Sequence, residues 1–258
     1  MEKPKKIILL LGPGESSRYL YHTLKDEFNI SAVAIEQKSS RLGLVKRRIK
    51  KLGILKVVGQ VLFMFIIPAF LRSFSKQRIR ALKQHYSFEE QIIPEQLVHR
   101  LPSVNSTIAL KFLQEQNPDL VLISGTRIIS QETLESTPAV FINIHAGITP
   151  AYRGVHGAYW ALVNNDTDRA GVSVHFVDKG IDTGAVIYQQ QIDITAEDNF
   201  VTYPLIQLGE GIVLLKKAVH AFIQGDLKTL DTDDSDSRLW YHPSLYDYIK
   251  AFFSRGIK

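Results

Sequence analysis

Ile7-Ile-Leu-Leu-Leu11-Gly12-Pro-Gly14 is a short, wholly apolar run closed by a glycine-proline-glycine turn. Five apolar residues without alternation predict a strand buried on both faces, as in the middle of a parallel sheet. A helix is expected over Arg18–Phe28, capped by Ser16 or Ser17, with Tyr19, Leu20, Thr23 and Leu24 on one face. Ile30–Ile35 is expected to be the next strand. Strand, crossover helix and strand in succession imply an α/β fold with a Rossmann-like, mostly parallel sheet and right-handed connections.

Similar patterns return downstream. Ile92-Ile93 and Val104-Asn105 read as short extended pieces. Ser106 opens a helix over Thr107–Gln116, which stops before Asn117-Pro118, and Leu120–Ser124 and Phe141–Ile144 read as strands. Val172–Val177 and Ala185–Ile192 are rich in β-branched residues, as a hairpin or paired strands would be. Tyr203–Ile223 is a long helical pattern, broken by Gly209 and Gly211 and closed at Gly225. Residues 1–230 are thus expected to form the main domain, interrupted by an insert over 38–88. Residues 231–258 read as an acidic linker, Asp231–Ser237, and a tail bearing Trp240, Tyr241, Tyr246, Tyr248, Phe252 and Phe253.

With 258 residues, 45% of them apolar and 22% charged, the chain suits one soluble globular domain. It has no cysteine, which excludes disulfides, thiolate catalysis and cysteine metal sites and fits a reducing cytoplasm. The basic start Met1–Lys6 runs into too short an apolar stretch for a secretory leader. The net charge of +5 conceals an asymmetry. Between Gln37 and Phe88 lie 13 of the 31 basic residues and no acidic ones, which leaves 18 against 26 elsewhere, a net of −8. Such a segment points to an anionic partner.

The apolar stretch within it, Ile54–Leu71, is near the lower limit for a membrane-spanning helix, but Lys56, Gln60 and Pro68 interrupt it and basic residues flank both ends. Two other readings stand beside a span. One is an amphipathic helix on an anionic membrane surface or acidic partner, using 38–83 and placing the protein at the inner membrane face. The other is a helical hairpin packed on the body or across a homodimer. Nucleic acid ranks lower, because apolar residues rather than stacking aromatics dominate the middle.

The candidate chemistry lies in Asn143-Ile-His145 and in Gly180-Ile-Asp182-Thr-Gly184. Alternation puts Asn143 and His145 on one face of a strand end. Glycines about Asp182 permit a tight loop that brings a carboxylate to the imidazole. An imidazole changes charge near neutral pH, a carboxylate fixes its tautomer or moves a proton, and an amide is a fixed donor for an oxyanion.

These residues, with Pro150 and Tyr152-Arg-Gly154 between them, resemble the catalytic core of the folate-dependent formyltransferases. That family covers glycinamide ribonucleotide, methionyl-tRNA and sugar N-formyltransferases, and Gly171–Val177 also resembles one of its strands. The resemblance runs from about Asn117 to Ile192. It implies formyl transfer from 10-formyltetrahydrofolate to an amine without metal, with Asn143 and His145 stabilising the oxyanion and Asp182 managing protons. It also implies a pterin slot formed by Thr126, Arg127, Ile128 and Ile129 with Gly180 and Ile181. Several relatives have Ser-Leu-Leu-Pro where this chain has Gly147-Ile-Thr-Pro150, so the acceptor is less defined than the chemistry.

Gly12, Gly14, Ser16 and Ser17 sit where a strand gives way to a helix and anions meet free N–H groups. With Tyr152 and Arg153 they are candidates to bind a small, phosphate-bearing amine, although Gly12–Ser17 also reads as an ordinary turn. The expected acceptor is an amino-sugar nucleotide. Glycinamide ribonucleotide comes next and methionyl-tRNA last, because the tRNA enzymes carry a further domain. Formyl-folate hydrolysis, a non-catalytic membrane-associated relative and a nicotinamide enzyme are the competing readings. The last leaves Asn143, His145 and Asp182 unexplained.

Overall fold

The structure is a computed structural model that describes residues 4–38 and 48–258. The opening Met1–Lys3 and the part of the basic insert over 39–47 lie outside the described residues. Seven strands form one sheet in the order β3-β2-β1-β4-β5-β7-β8. They are β1 (Ile7–Leu11), β2 (Ile30–Glu36), β3 (Val98–Leu101), β4 (Leu120–Ser124), β5 (Val140–His145), β7 (Gly171–Phe176) and β8 (Val186–Gln191). Pairing is parallel from β3 through β5 and antiparallel for β5–β7 and β7–β8. The Rossmann-like, mostly parallel sheet expected from the sequence is therefore present, with an antiparallel edge.

β1 lies between β2 and β4 and has both faces covered, which is why it carries no polar residue. Ile7, Leu9 and Leu11 pack on one side with Tyr19, Leu20 and Leu24 of helix α1 (Glu15–Leu24) and with helix α7 (Tyr203–Gln224). Ile8 and Leu10 pack on the other with Ala109, Phe112 and Leu113 of α4 (Thr107–Gln116). Each such fully buried side chain contributes about 1.5–3 kcal/mol.

Local expectations fail in three places. α1 starts at Glu15 and neither serine caps it; Gly14 holds the cap position and the Ser17 hydroxyl donates to the Gly12 carbonyl. Neither Ile92-Ile93 nor Val104-Asn105 is a strand, because the Val104 N–H is taken at 2.9 Å by the Glu36 carboxylate, while Val98–Leu101 pairs with β2. α7 runs unbroken through Gly209 and Gly211. A Cβ on Gly209 would lie 2.3 Å from the Tyr86 ring, and one on Gly211 would lie 2.7 Å from Ile144, so these glycines admit close packing.

The described part of the insert is helical: α2 (Ile54–Phe74) and α3 (Lys76–His85). α2 is long and apolar enough to cross a membrane by length and composition. It nevertheless seats Val57, Gln60 and Phe63 on the body and leaves most of its surface bare. The aromatic tail carries regular structure. β9 (Leu239–Trp240) pairs with β6 (Arg153–Gly154), and α8 (Leu245–Arg255) follows behind a Ser244/Asp247 capping box.

Candidate active site

β5 delivers the two polar residues that alternation predicts. Asn143 and His145 leave the sheet at its carboxyl edge, and Ile144 between them is buried against α7. β7 runs antiparallel alongside, with His175 opposite Asn143 and Ser173 opposite His145. The loop between β7 and β8 brings Asp182 over both. Asp178 ties that loop by accepting from Gly180 N at 2.9 Å and from Thr183 Oγ1 at 2.7 Å. Gly184 passes so close to the Phe176 carbonyl that a Cβ there would overlap it, and Asp182 itself sits at φ 51°. Few non-glycine residues adopt that left-handed conformation, and Asp is among those that tolerate it.

The hydrogen bonds fix the protonation pattern. His145 Nε2 lies 2.8 Å from the Tyr152 carbonyl, which can only accept, so Nε2 carries a proton. Nδ1 faces Asp182 Oδ2 at 3.3 Å, and without a second proton between them two lone pairs would oppose each other. The pair is thus a coupled unit with room for one proton between its members. Burial pushes the His145 pKa below its usual value against the pull of Asp182. Burial alone would raise Asp182, but His175, His145 and the Gly154 N–H at 2.9 Å together hold it below the usual carboxylate range.

His175 is the residue that reading the sequence missed. Its Nδ1 donates to the Phe176 carbonyl at 2.7 Å, which leaves Nε2 as an acceptor 3.1 Å from Asn143 Nδ2. That orients the Asn143 amide and leaves its second N–H for a substrate oxygen. The Asp182 carboxylate lies 3.7 Å from the same Nε2. Both ring nitrogens of His145 are occupied, so of the two residues expected to face an oxyanion only Asn143 has an N–H left to donate in this arrangement. The only available signal was the alternation in Ser173-Val-His175 on a β-rich stretch.

The other candidates are distributed as follows. Tyr152 gives its carbonyl to His145 and turns its hydroxyl away to Asp166 at 2.8 Å. Arg153 reaches back to the Ile181 carbonyl at 3.2 Å, pinning the Asp182 loop. Ile123 is level with Asn143, so the loop from Gly125 leaves the sheet at the level of His145. In that loop Ile128 is exposed and Ile129 belongs to the core. Arg127 is tied to buried Glu36 at 3.2 Å, and Thr126 Oγ1 donates to the Arg127 carbonyl. A ligand here would meet main chain and Ile128. Gly12 touches the Gly125 carbonyl, and of the two serines in that turn only Ser16 is exposed. Among the described residues no three His, Asp or Glu converge as metal ligands.

Gly147, where the chain departs from its resemblance, is confined. A Cβ would stand 2.3 Å from the Tyr152 carbonyl and 2.9 Å from His145 Nε2. Gly147→Ser is therefore expected to destabilise the fold by about 1–3 kcal/mol, which a denaturant melt would measure.

Residues 83–204 match the family model described as Formyl transferase. That segment, somewhat less than half of the chain, is where it is similar to the family. A methionyl-tRNA formyltransferase from Syntrophus aciditrophicus is 32% identical over 100 residues, which are 38% of this chain and 32% of that protein. The first curated formyltransferases matched are covered over about a third to half of their length. Among solved structures, phosphoribosylglycinamide formyltransferase from Streptococcus pneumoniae aligns with TM-score 0.53 and 21% identity, over 85% of this chain and 99% of that one. A sugar 3N-formyl transferase solved in the presence of dTDP and 5-N-formyl-THF aligns with TM-score 0.54 and 18% identity, over 93% of this chain and 70% of that one. At these identities the likeness is one of fold. The formyl transferase match begins at Lys83, beyond α2, so that helix lies outside the matched segment.

Proposed function

We propose that this protein transfers a formyl group from 10-formyltetrahydrofolate to the primary amine of an amino-sugar nucleotide. The observation that carries the reading is the buried pair His145–Asp182 beside the oriented amide of Asn143. The folate supplies a formyl carbon on a nitrogen that can leave. Asp182 and His145 together accept the proton the attacking amine loses as its C–N bond forms, and return it to the departing folate nitrogen as the old C–N bond breaks. Asn143 donates to the formyl oxygen while negative charge develops there, the kind of fixed donor worth about 2.7–4 kcal/mol in other acyl transfers. The strand-end loop with exposed Ile128, level with His145, is the place for the pterin edge.

The choice of acceptor leans on the sugar N-formyltransferases among the structural neighbours, which align over nearly all of the chain. The curated relatives named as methionyl-tRNA enzymes supply the second reading. Purified protein given 10-formyltetrahydrofolate should release tetrahydrofolate only when a nucleotide-linked amino sugar is present. Turnover with methionyl-tRNA or glycinamide ribonucleotide in its place would overturn the acceptor. Release without any amine would make the protein a hydrolase.

A further inference from the structure

α2 presents an apolar surface that the fold does not use. Val57, Gln60 and Phe63 face the body, and Leu55, Val58, Leu62, Phe65 and Ile66 are exposed on the opposite side, Leu55 at 87% and Phe65 at 64%. Phe70 and Phe74 then line a groove of about 780 Å³ with Ile249, Phe252 and Phe253 of α8, so the apolar surface continues from one helix to the other. Contiguous exposed patches of this kind mark interaction sites.

Charge selects the occupant. Lys56, Arg72, Lys76, Arg80, Lys250 and Arg255 stand exposed on α2, α3 and α8, and among the described residues none of them has an ion-pair partner. The sequence from Gln37 to Phe88 contains no carboxylate, and Glu197 is the one acidic residue lining the groove. A second copy across a two-fold axis would set this basic face against itself. A membrane crossing would strip α2 from the body, although Gln60 Nε2 donates to the His242 carbonyl at 2.6 Å and Phe63 packs 4.8 Å from Phe200 and 5.4 Å from Tyr248. An apolar helix face flanked by cations fits a headgroup layer.

We propose that the outward face of α2, continued by Phe252 and Phe253, docks this protein on an anionic lipid bilayer with the helix lying in the plane of the interface. This goes beyond formyl transfer and does not depend on it. The test is flotation of the full chain with vesicles of phosphatidylcholine alone and of phosphatidylcholine mixed with phosphatidylglycerol. The protein is expected to float with the mixed vesicles, far less with the neutral ones, and to be released by salt. Leu62→Ser with Phe65→Ser should abolish flotation, and neutralising Arg72, Lys76 or Arg80 should weaken it about fivefold each. All five side chains are exposed, so the variants should melt like the parent. Failure to float with the anionic vesicles would overturn the proposal. So would a solution dimer that the Leu62/Phe65 variant dissociates, or resistance to alkaline extraction from the vesicles, the mark of a crossing helix.

Discussion

Asp182→Asn is expected to lower kcat for formyl transfer by about a hundred- to ten-thousand-fold, the range in which a positioned acid–base group contributes. The substitution keeps shape and the acceptor for the Gly154 N–H at 2.9 Å, so the loop should keep its place. What it removes is charge. The oxygen kept on the Gly154 N–H is the one that His145 Nδ1 faces, so the amide sets no negative charge against the imidazole and no longer stabilises its protonated form, with Nε2 still bound to Tyr152. The defect should therefore fall on kcat, with KM for the amine close to that of the parent. His145→Asn should resemble it, and the double variant should be little worse than either, since the two act as one unit. Single-turnover rates would decide. Additive losses, or Asp182→Asn turning over at the parental rate, would sink the assignment. His175→Ala offers a finer check. It frees the Asn143 amide to rotate, and is expected to slow turnover less than loss of Asp182 because no charge is removed.

The sequence carried the half of this site that depends on a period of two. Asn143 and His145 share a strand face whatever lies beside it, so alternation located them. His175 escaped because its role comes from the antiparallel register of β5 with β7, and no local pattern specifies which residue stands across a ladder. The same limit hid β3, whose Val-His-Arg-Leu is an edge sequence with a charged residue exposed. Gly209 and Gly211 look like helix breakers in the chain, and only the Tyr86 ring and Ile144 explain them. The tail's contacts were not legible either. Trp240 stacks on Tyr152 at 5.6 Å and on Trp160 at 4.9 Å, and its strand holds Arg153 and Gly154 through bonds such as Val155 N to the Trp240 carbonyl. Gly154 in turn holds Asp182. A segment that reads as decoration is thus part of the scaffold that positions the carboxylate.

That scaffold should come apart in mild acid. His156 Nε2 and His242 Nδ1 share a hydrogen bond of 2.9 Å between the segment that follows Gly154 and the tail. Burial, and then its neighbour His242, push His156 from the usual 6.5 to about 3. Burial, and then Arg48, push His242 to about 4. Both are neutral in the folded protein and both take up a proton near pH 6.5 once released. Their contribution is therefore complete above pH 6.5 and is lost as pH falls toward 4. By linkage the two together remove roughly 4 kcal/mol between pH 7 and pH 5, a large share of a typical domain's stability. The chain has two tryptophans, Trp160 and Trp240, stacked on each other at this contact, so intrinsic fluorescence reports the event directly. Acidification should change that fluorescence, and lower the melting temperature, within the window from pH 6.5 to 4. His242→Asn keeps a polar partner for His156 but cannot titrate, and should about halve the pH slope. His156→Asn should do the same, since asparagine tolerates the φ of 61° found there. An unchanged slope in both variants would mean that the acid sensitivity lies elsewhere. Because the Trp240 strand holds Gly154 and Gly154 holds Asp182, parting of His156 from His242 should make formyl transfer fail in acid before the sheet itself unfolds.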